Sequence, residues 1–143
     1  LFGSCGNGLL RLRTEEEAKA AFLRIAEAGG VFYLQKFVPC GGTDIRAFVV
    51  NGRVIAAMKR TGADWRANYS LGGTVAPHAL TPKEEALALA AADAVSADVA
   101  GVDLLVSDAG ETFVTEVNGC PGWQGLSTVT DADIAGEIVS LLL

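Results

Sequence analysis

The chain has 143 residues, half of them hydrophobic, with 17 glycines and a formal net charge of −6. That balance describes one globular domain of ordinary size, or two small lobes, rich in special turns, and excludes a disordered segment. Its acidity disfavours non-specific binding to nucleic acid, so any phosphate it holds must be gripped locally by positioned cations and backbone amides.

Residues 2–12 alternate small turn residues with apolar ones and predict two strands joined by the glycine loop Gly3-Ser4-Cys5-Gly6-Asn7-Gly8. Thr14 followed by Glu17 is a capping-box signal, and Ala18, Ala21, Phe22 and Ile25 recur at helical spacing until Gly29-Gly30. Residues 31–38 are rich in β-branched and aromatic side chains and predict a strand that Pro39 ends. Asn51-Gly52, the strongest short hairpin signal, joins predicted strands at 45–50 and 53–60. A loop is expected over 61–77. Thr81, Pro82 and Glu84 then open a helix to about Ala97, with Leu87, Ala91 and Val95 on one face. Residues 101–107 and 111–118 predict a second hairpin, and Thr130 starts a last helix carrying Ile134, Ile138 and Leu141 inward. The predicted order is β-β-α-β followed by β-β-α-β-β-α, without strict βαβ alternation, so the fold class is α+β.

No apolar run approaches the roughly 20 residues of a membrane span, and the first residues lack the basic start and apolar core of a signal peptide. Without an initiating Met, the chain is expected to begin inside a longer protein. Cys5, Cys40 and Cys120 make an odd count with no paired metal-ligand spacing, which fits a reduced, cytoplasmic protein.

The most informative segment is Val102-Asp103 with Thr115-Glu116-Val117-Asn118-Gly119. Side chains two apart on a strand share a face, so Glu116 and Asn118 point the same way, and two oxygen donors at that spacing suit a hard cation such as Mg²⁺. Whether Asp103 joins them depends on register. A three-residue connection, residues 108–110, pairs Ser107 with Glu111 and puts Asp103 on the face opposite Glu116. A four-residue connection, 108–111, pairs Asp103 directly with Glu116, and all three then converge. The solvated face of an amphipathic hairpin accounts for the same residues without a metal.

The glycine loop offers backbone amides that can approach phosphate oxygens, although glycine-rich hairpins are common. It is not a Walker loop, because no Gly-Lys-Ser/Thr follows, nor a dinucleotide fingerprint, which would open a helix directly. Basic residues gather at Arg46, Lys59, Arg60 and Arg66, with Asn68 close by, and an arginine fork matches the oxygens of a triphosphate or acyl phosphate. Taken singly each reads first as ordinary exposed surface; together with the carboxylates downstream they make the combination that nucleotide–metal chemistry needs. His78, just before a helix, has no nearby partner in sequence and reads as a solvated loop residue. Cys120 reads as a small residue in a tight turn, rather than a nucleophile. Trp65 and Trp123 could line a pocket or lie in a core.

With those residues in view, the chain resembles the C-terminal half of an ATP-grasp enzyme of the RimK-like alpha-L-glutamate ligase group. The resemblance rests on Gly3-Ser4-Cys5-Gly6-Asn7-Gly8-Leu9, Leu34-Gln35-Lys36-Phe37-Val38, Thr43-Asp44-Ile45-Arg46, Trp65-Arg66-Ala67-Asn68, Leu71-Gly72-Gly73, Ala100-Gly101-Val102-Asp103 and Glu116-Val117-Asn118-Gly119-Cys120-Pro121-Gly122, in that order. It implies an ATP-grasp fold, C-terminal portion, of antiparallel or mixed sheets with packed helices and no N-terminal pre-ATP-grasp domain. Residues 1–38 would be part of the glycine-loop lid and 39–143 the metal- and ATP-binding subdomain. Gly3, Ser4, Gly6 and Gly8 match the flap over the ATP phosphates, Lys36 and Phe37 the hinge at the adenine, and Asp44 a nucleotide-contacting acid. Arg66 and Asn68 match residues near the phosphates and the reacting carboxylate, with Arg66 in the catalytic role. Asp103, Glu116 and Asn118 match the metal ligands. Lys36 stands where many members carry an acid, and Tyr69-Ser70-Leu71 replaces a His-Arg pair, a difference that bears on the amino-acid substrate. The stretch from Pro121 to Leu126 is similar to glutamate ligases that modify pterin-type coenzymes.

The resemblance implies that ATP phosphorylates a carboxylate and that an amine then attacks the acyl phosphate, forming an amide. Its expected partners are ATP, Mg²⁺ or Mn²⁺, an amino acid such as glutamate, and a carboxylate acceptor on a protein or coenzyme-like molecule, with no nucleic acid and no membrane; a homo-oligomer is compatible with it. A phosphate-binding lysine and a further N-terminal domain of the family would both precede Leu1, so little activity is expected of this chain alone. Another ATP-grasp ligase of amino-acid biosynthesis, a non-catalytic nucleotide-binding module and a structural α+β interaction domain are the rival readings.

Overall fold

Thr14 begins the first helix, α1 (Glu15–Glu27), by accepting the Glu17 amide on its hydroxyl at 3.2 Å, which satisfies one donor that a helix start leaves orphaned. The return bond reaches one residue further out than a capping box requires, because Glu17 Oε2 accepts the Arg13 amide at 2.6 Å. At the other end Gly29 adopts φ +64°, and the Gly29 and Gly30 amides turn back to the carbonyls of Ala26 and Ile25. This is the Schellman closure that glycine permits. The computed structural model describes residues 8–67 and 72–143, and the chain divides into two compact units, Leu1–Val38 and Pro39–Leu143.

In the first unit the predicted strands do not form within the described residues: 8–12 and 31–38 are in no strand, and residues 2–7 lie outside the description. β-branched and aromatic composition favours an extended backbone, but a strand also needs a ladder to pair with, and none is offered here among the described residues. The segment packs through side chains instead. The Phe22 and Phe32 rings meet edge to face at 5.5 Å, and the Arg11 guanidinium lies 3.6 Å from the centre of the Phe37 ring.

The second unit is built on an all-antiparallel sheet of β1 (Thr43–Val50), β2 (Arg53–Thr61), β3 (Thr74–Pro77), β4 (Val99–Val106) and β5 (Thr112–Asn118), in the order β3-β2-β1-β4-β5. Asn51 and Gly52, at φ +48° and +69°, make the tight turn their sequence predicts. β3 falls inside the stretch expected to be loop. Four residues are too short a run for periodicity to announce, and β3 forms because β2 offers it an edge.

Period-two alternation sends Ile45, Ala47 and Val49 to one face of the central strand and Phe48 and Val50 to the other. The first face, with Val102 and Leu104, packs under α2 (Pro82–Ala94). Thr81 and Glu84 make a complete capping box there, with Pro82 in the first turn. The helix buries Ala88 and Ala92, with Leu87 and Ala91 flanking them, while Val95 is exposed at its end. Alanine-rich periodicity had several equivalent stripes, and the sheet selected the smallest one, which allows close approach.

The second face is covered by α3 (Gln124–Ser127), α4 (Ile134–Val139) and a 3₁₀ turn, Ser140–Leu142. Leu126 and Ile134 are buried on it, with Ile138 and Leu141 beside them. The α4 cap is Asp133, which accepts the Gly136 amide at 2.9 Å, and not Thr130, whose hydroxyl accepts from Ala132 in the preceding turn. No helix among the described residues is long and apolar enough to cross a membrane.

Candidate functional site

The register of the second hairpin settles which side chains meet. Ser107 and Glu111 are joined by a backbone bond, so the connection is the three-residue one, Asp108-Ala109-Gly110, with Gly110 at φ +82°. That turn by itself would send Asp103 and Glu116 to opposite faces. A bulge intervenes: Leu104 pairs with Val114, but Asp103 pairs with Glu116, leaving Thr115 as the extra residue. Its hydroxyl donates to the Asp103 carbonyl at 3.2 Å. Asp103 and Glu116 therefore stand directly opposite each other, and Asn118, opposite Gly101, shares their face.

The first hairpin contains the same device. From the Asn51-Gly52 turn a regular ladder would bring Lys59 to Asp44. A bulge at Ile55 shifts it, so that Arg60 pairs with Asp44 while Lys59 faces the other way and is exposed. The face beyond Phe48 thus becomes polar, carrying Asp44, Arg46, Arg60, Asp103 and Glu116.

Arg46 grips Asp103 with two bonds, Nε to Oδ1 at 2.5 Å and Nη2 to Oδ2 at 2.8 Å. Arg60 donates Nε and Nη2 to the two Asp44 oxygens, both at 2.6 Å, and Nη2 also reaches Asp103 Oδ2 at 2.8 Å. Burial pushes the Asp44 carboxyl up despite this pairing. Burial alone would push the Arg60 guanidinium down, but the two acids outweigh it and hold it above its ordinary value. Gly101 makes room for the arrangement: a Cβ there would stand 2.7 Å from Pro121 Cβ and 3.3 Å from Arg46 Cδ. The turn after β5 folds over this spot, with Pro121 buried and Trp123 edge-on to Phe48 at 6.0 Å.

The three oxygen donors fit a hard divalent cation. Among the described residues, Asp103 Oδ1 accepts one bond and keeps a lone pair, Asn118 Oδ1 accepts only the Cys120 amide at 2.9 Å, and Glu116 is exposed without a partner. Among the described residues no three His, Cys, Asp or Glu side chains gather as a metal site; the predicted set has two carboxylates, its third donor being an amide.

The other predicted residues lie elsewhere. Arg66 folds onto Asp64, with Nη2 2.7 Å from Oδ2, and its fork holds the exposed Asp64 below the ordinary carboxylate range. Lys36, Phe37 and Gly8 belong to the first unit, with Gly8 in a turn at φ +80°. Gly3, Ser4, Gly6 and Asn68 lie outside the described residues. His78 is not a solvated loop residue, since its Nε2 is 3.2 Å from Glu84 Oε2 and it is half-buried. Sequence reading noticed Arg46 and Arg60 only as basic residues and missed their roles as partners of Asp44 and Asp103. The i, i+2 spacing of Asp44 and Arg46 was the available signal.

Residues 1–142 match the profile of the RimK-like ATP-grasp domain. The chain belongs to that family. It is 42% identical to a probable alpha-L-glutamate ligase of Trichodesmium erythraeum and 41% identical to one of Aliivibrio salmonicida, in each case over 99% of this chain and 48% of the relative. The chain thus spans about half the length of the curated relatives it matches. Among solved structures it is similar to the ATP-grasp ligase PsnB complexed with precursor peptide PsnA2 and AMPPNP, with TM-score 0.69, 19% identity and coverage of 95% of this chain and 42% of that one. It is also similar to D-alanine–D-alanine ligase from Bacillus anthracis complexed with ATP, with TM-score 0.56, 19% identity and coverage of 91% and 42%. The α+β architecture described above is accordingly the ATP-grasp fold of this family.

Proposed function

We propose that this chain is the nucleotide- and metal-binding part of a longer ATP-dependent carboxylate–amine ligase that adds an amino acid, glutamate by its relatives' names, to a carboxylate acceptor. The observation that carries the reading is the facing pair Asp103 and Glu116 with Asn118 beside them. Two guanidiniums face three carboxylates on this surface, Arg46 and Arg60 against Asp44, Asp103 and Glu116, so one negative charge is left over and Glu116 carries it in the open. Mg²⁺ or Mn²⁺ bound there would leave the sum at one positive charge, which suits a polyphosphate and the charge that develops as a phosphoryl group transfers.

In this reading Asp103, Glu116 and Asn118 hold the cation, Asp44 meets the nucleotide through lone pairs that Arg60 leaves open, and Lys36 and Phe37 meet the adenine. Gly3, Ser4, Gly6 and Gly8 serve the phosphates through their backbone amides. Arg66 and Asn68 steady the phosphoryl group as it passes to the acceptor carboxylate. Arg66 must leave Asp64 to do so, and an exposed ion pair holds weakly enough to be exchanged for a phosphate. In the full-length protein, Glu116→Ala should abolish metal-dependent ADP release in the presence of glutamate and acceptor. Near-normal release would dismiss the assignment, and nucleotide binding without any phosphate release in the unaltered protein would favour a non-catalytic module.

A further inference from the structure

Arg60 and Asp103 are each only 5% exposed, an enclosure that costs a charged pair much of its hydration. A bond made only to hold two strands together could be replaced by apolar packing without that cost. The arrangement here does more than hold strands. Asp103 has about four lone-pair sites, and Arg46 and Arg60 fill three of them. The terminal torsion of an aspartate is otherwise broad. With both oxygens taken, the carboxylate can present only the remaining lone pair of Oδ1. Arg60 is itself fixed by its two bonds to Asp44 on the neighbouring strand.

We propose that Arg60 is a positioning residue for the divalent cation: it locks the Asp103 carboxylate in one orientation, and Asp44, by sharing the guanidinium, limits how much of its positive charge falls on Asp103. The inference rests on the ligase reading above. It implies that loosening Arg60, or neutralising Asp44, weakens the cation site without removing a ligand.

The test uses the full-length protein with Arg60→Lys, which keeps the charge but puts a single nitrogen in place of the planar fork that spans Asp44 and Asp103, and Asp44→Asn, which leaves Arg60 in place. Mn²⁺ is titrated at saturating concentrations of a non-hydrolysable ATP analogue, so that the nucleotide contact of Asp44 itself does not enter, alongside the Mg²⁺ concentration giving half-maximal ADP release of Arg60→Lys. Both variants should weaken Mn²⁺ binding by between about 10- and 100-fold, and Arg60→Lys should raise the Mg²⁺ half-saturation likewise, with its turnover recovered at saturating Mg²⁺. A merely structural role would lower turnover through loss of folded protein and leave both metal constants unmoved, and that result overturns the proposal. Glu116→Ala separates the two failures. If it too leaves Mn²⁺ binding unchanged, the metal assignment itself is wrong; if it abolishes binding while Arg60→Lys and Asp44→Asn do nothing, only the positioning role is wrong.

Discussion

A guanidinium enclosed between two carboxylates has no neutral form to fall back on, so removing it strands the acids. Arg60→Met should therefore destabilise the second unit by about 3–5 kcal/mol in urea unfolding, and a loss below about 1 kcal/mol would show that Asp44 and Asp103 are hydrated well enough to stand alone. The sign of the Asp44 titration agrees with this. Burial raises its carboxyl above the ordinary 3.8, so its contribution to stability is greatest when protonated and declines as pH rises through the folded value. The residue types of this cluster were legible in the sequence. Their pairing was not, because it depends on which neighbour of each strand position turns inward.

That choice is made at the scale of the element, by two one-residue bulges. Turn chemistry correctly located both hairpins, and at Asn51-Gly52 it also gave the turn itself. A turn fixes register only for the residues next to it, and neither the bulge at Ile55 nor the one at Thr115 has a sequence signature as plain as Asn-Gly. The three-residue connection and the Asp103–Glu116 pairing looked like exclusive alternatives, yet the bulge lets both occur. Helix ends are more local and were read more fully. In α2, Glu84 accepts the Thr81 amide at 2.7 Å and faces His78. Although burial pushes it up, those partners hold its carboxyl below the ordinary 4.5. A lowered acid stabilises above its unfolded value and loses that contribution as pH falls. Glu84→Gln should accordingly cost about 1 kcal/mol at pH 7, with the difference from wild type shrinking as pH drops below 4.5. A pH-independent difference in thermal unfolding would show that the charge contributes nothing.

Across the whole molecule the two units carry very unequal cores. The second buries two apolar clusters, one on each face of its sheet, whereas Ala21 is the one buried hydrophobic residue of the first unit among the described residues, where Leu10, Leu23 and Leu34 are all exposed. Limited proteolysis of the chain should therefore cut first within Leu1–Val38 and leave a resistant product starting near Pro39, because cleavage follows local opening. Early cuts within the sheet would contradict this. The amino-acid sequence by itself determined the family, the two hairpins and the N-terminal caps of α1 and α2, since each depends on neighbours within a few positions or on a chain-long order of motifs. Only the tertiary structure decided that 31–38 stays out of a strand, that Ala88 and Ala92 face the sheet, and that Arg46 and Arg60 close on Asp103 and Asp44. Those outcomes depend on what partner surface is within reach, and a linear pattern carries no record of it.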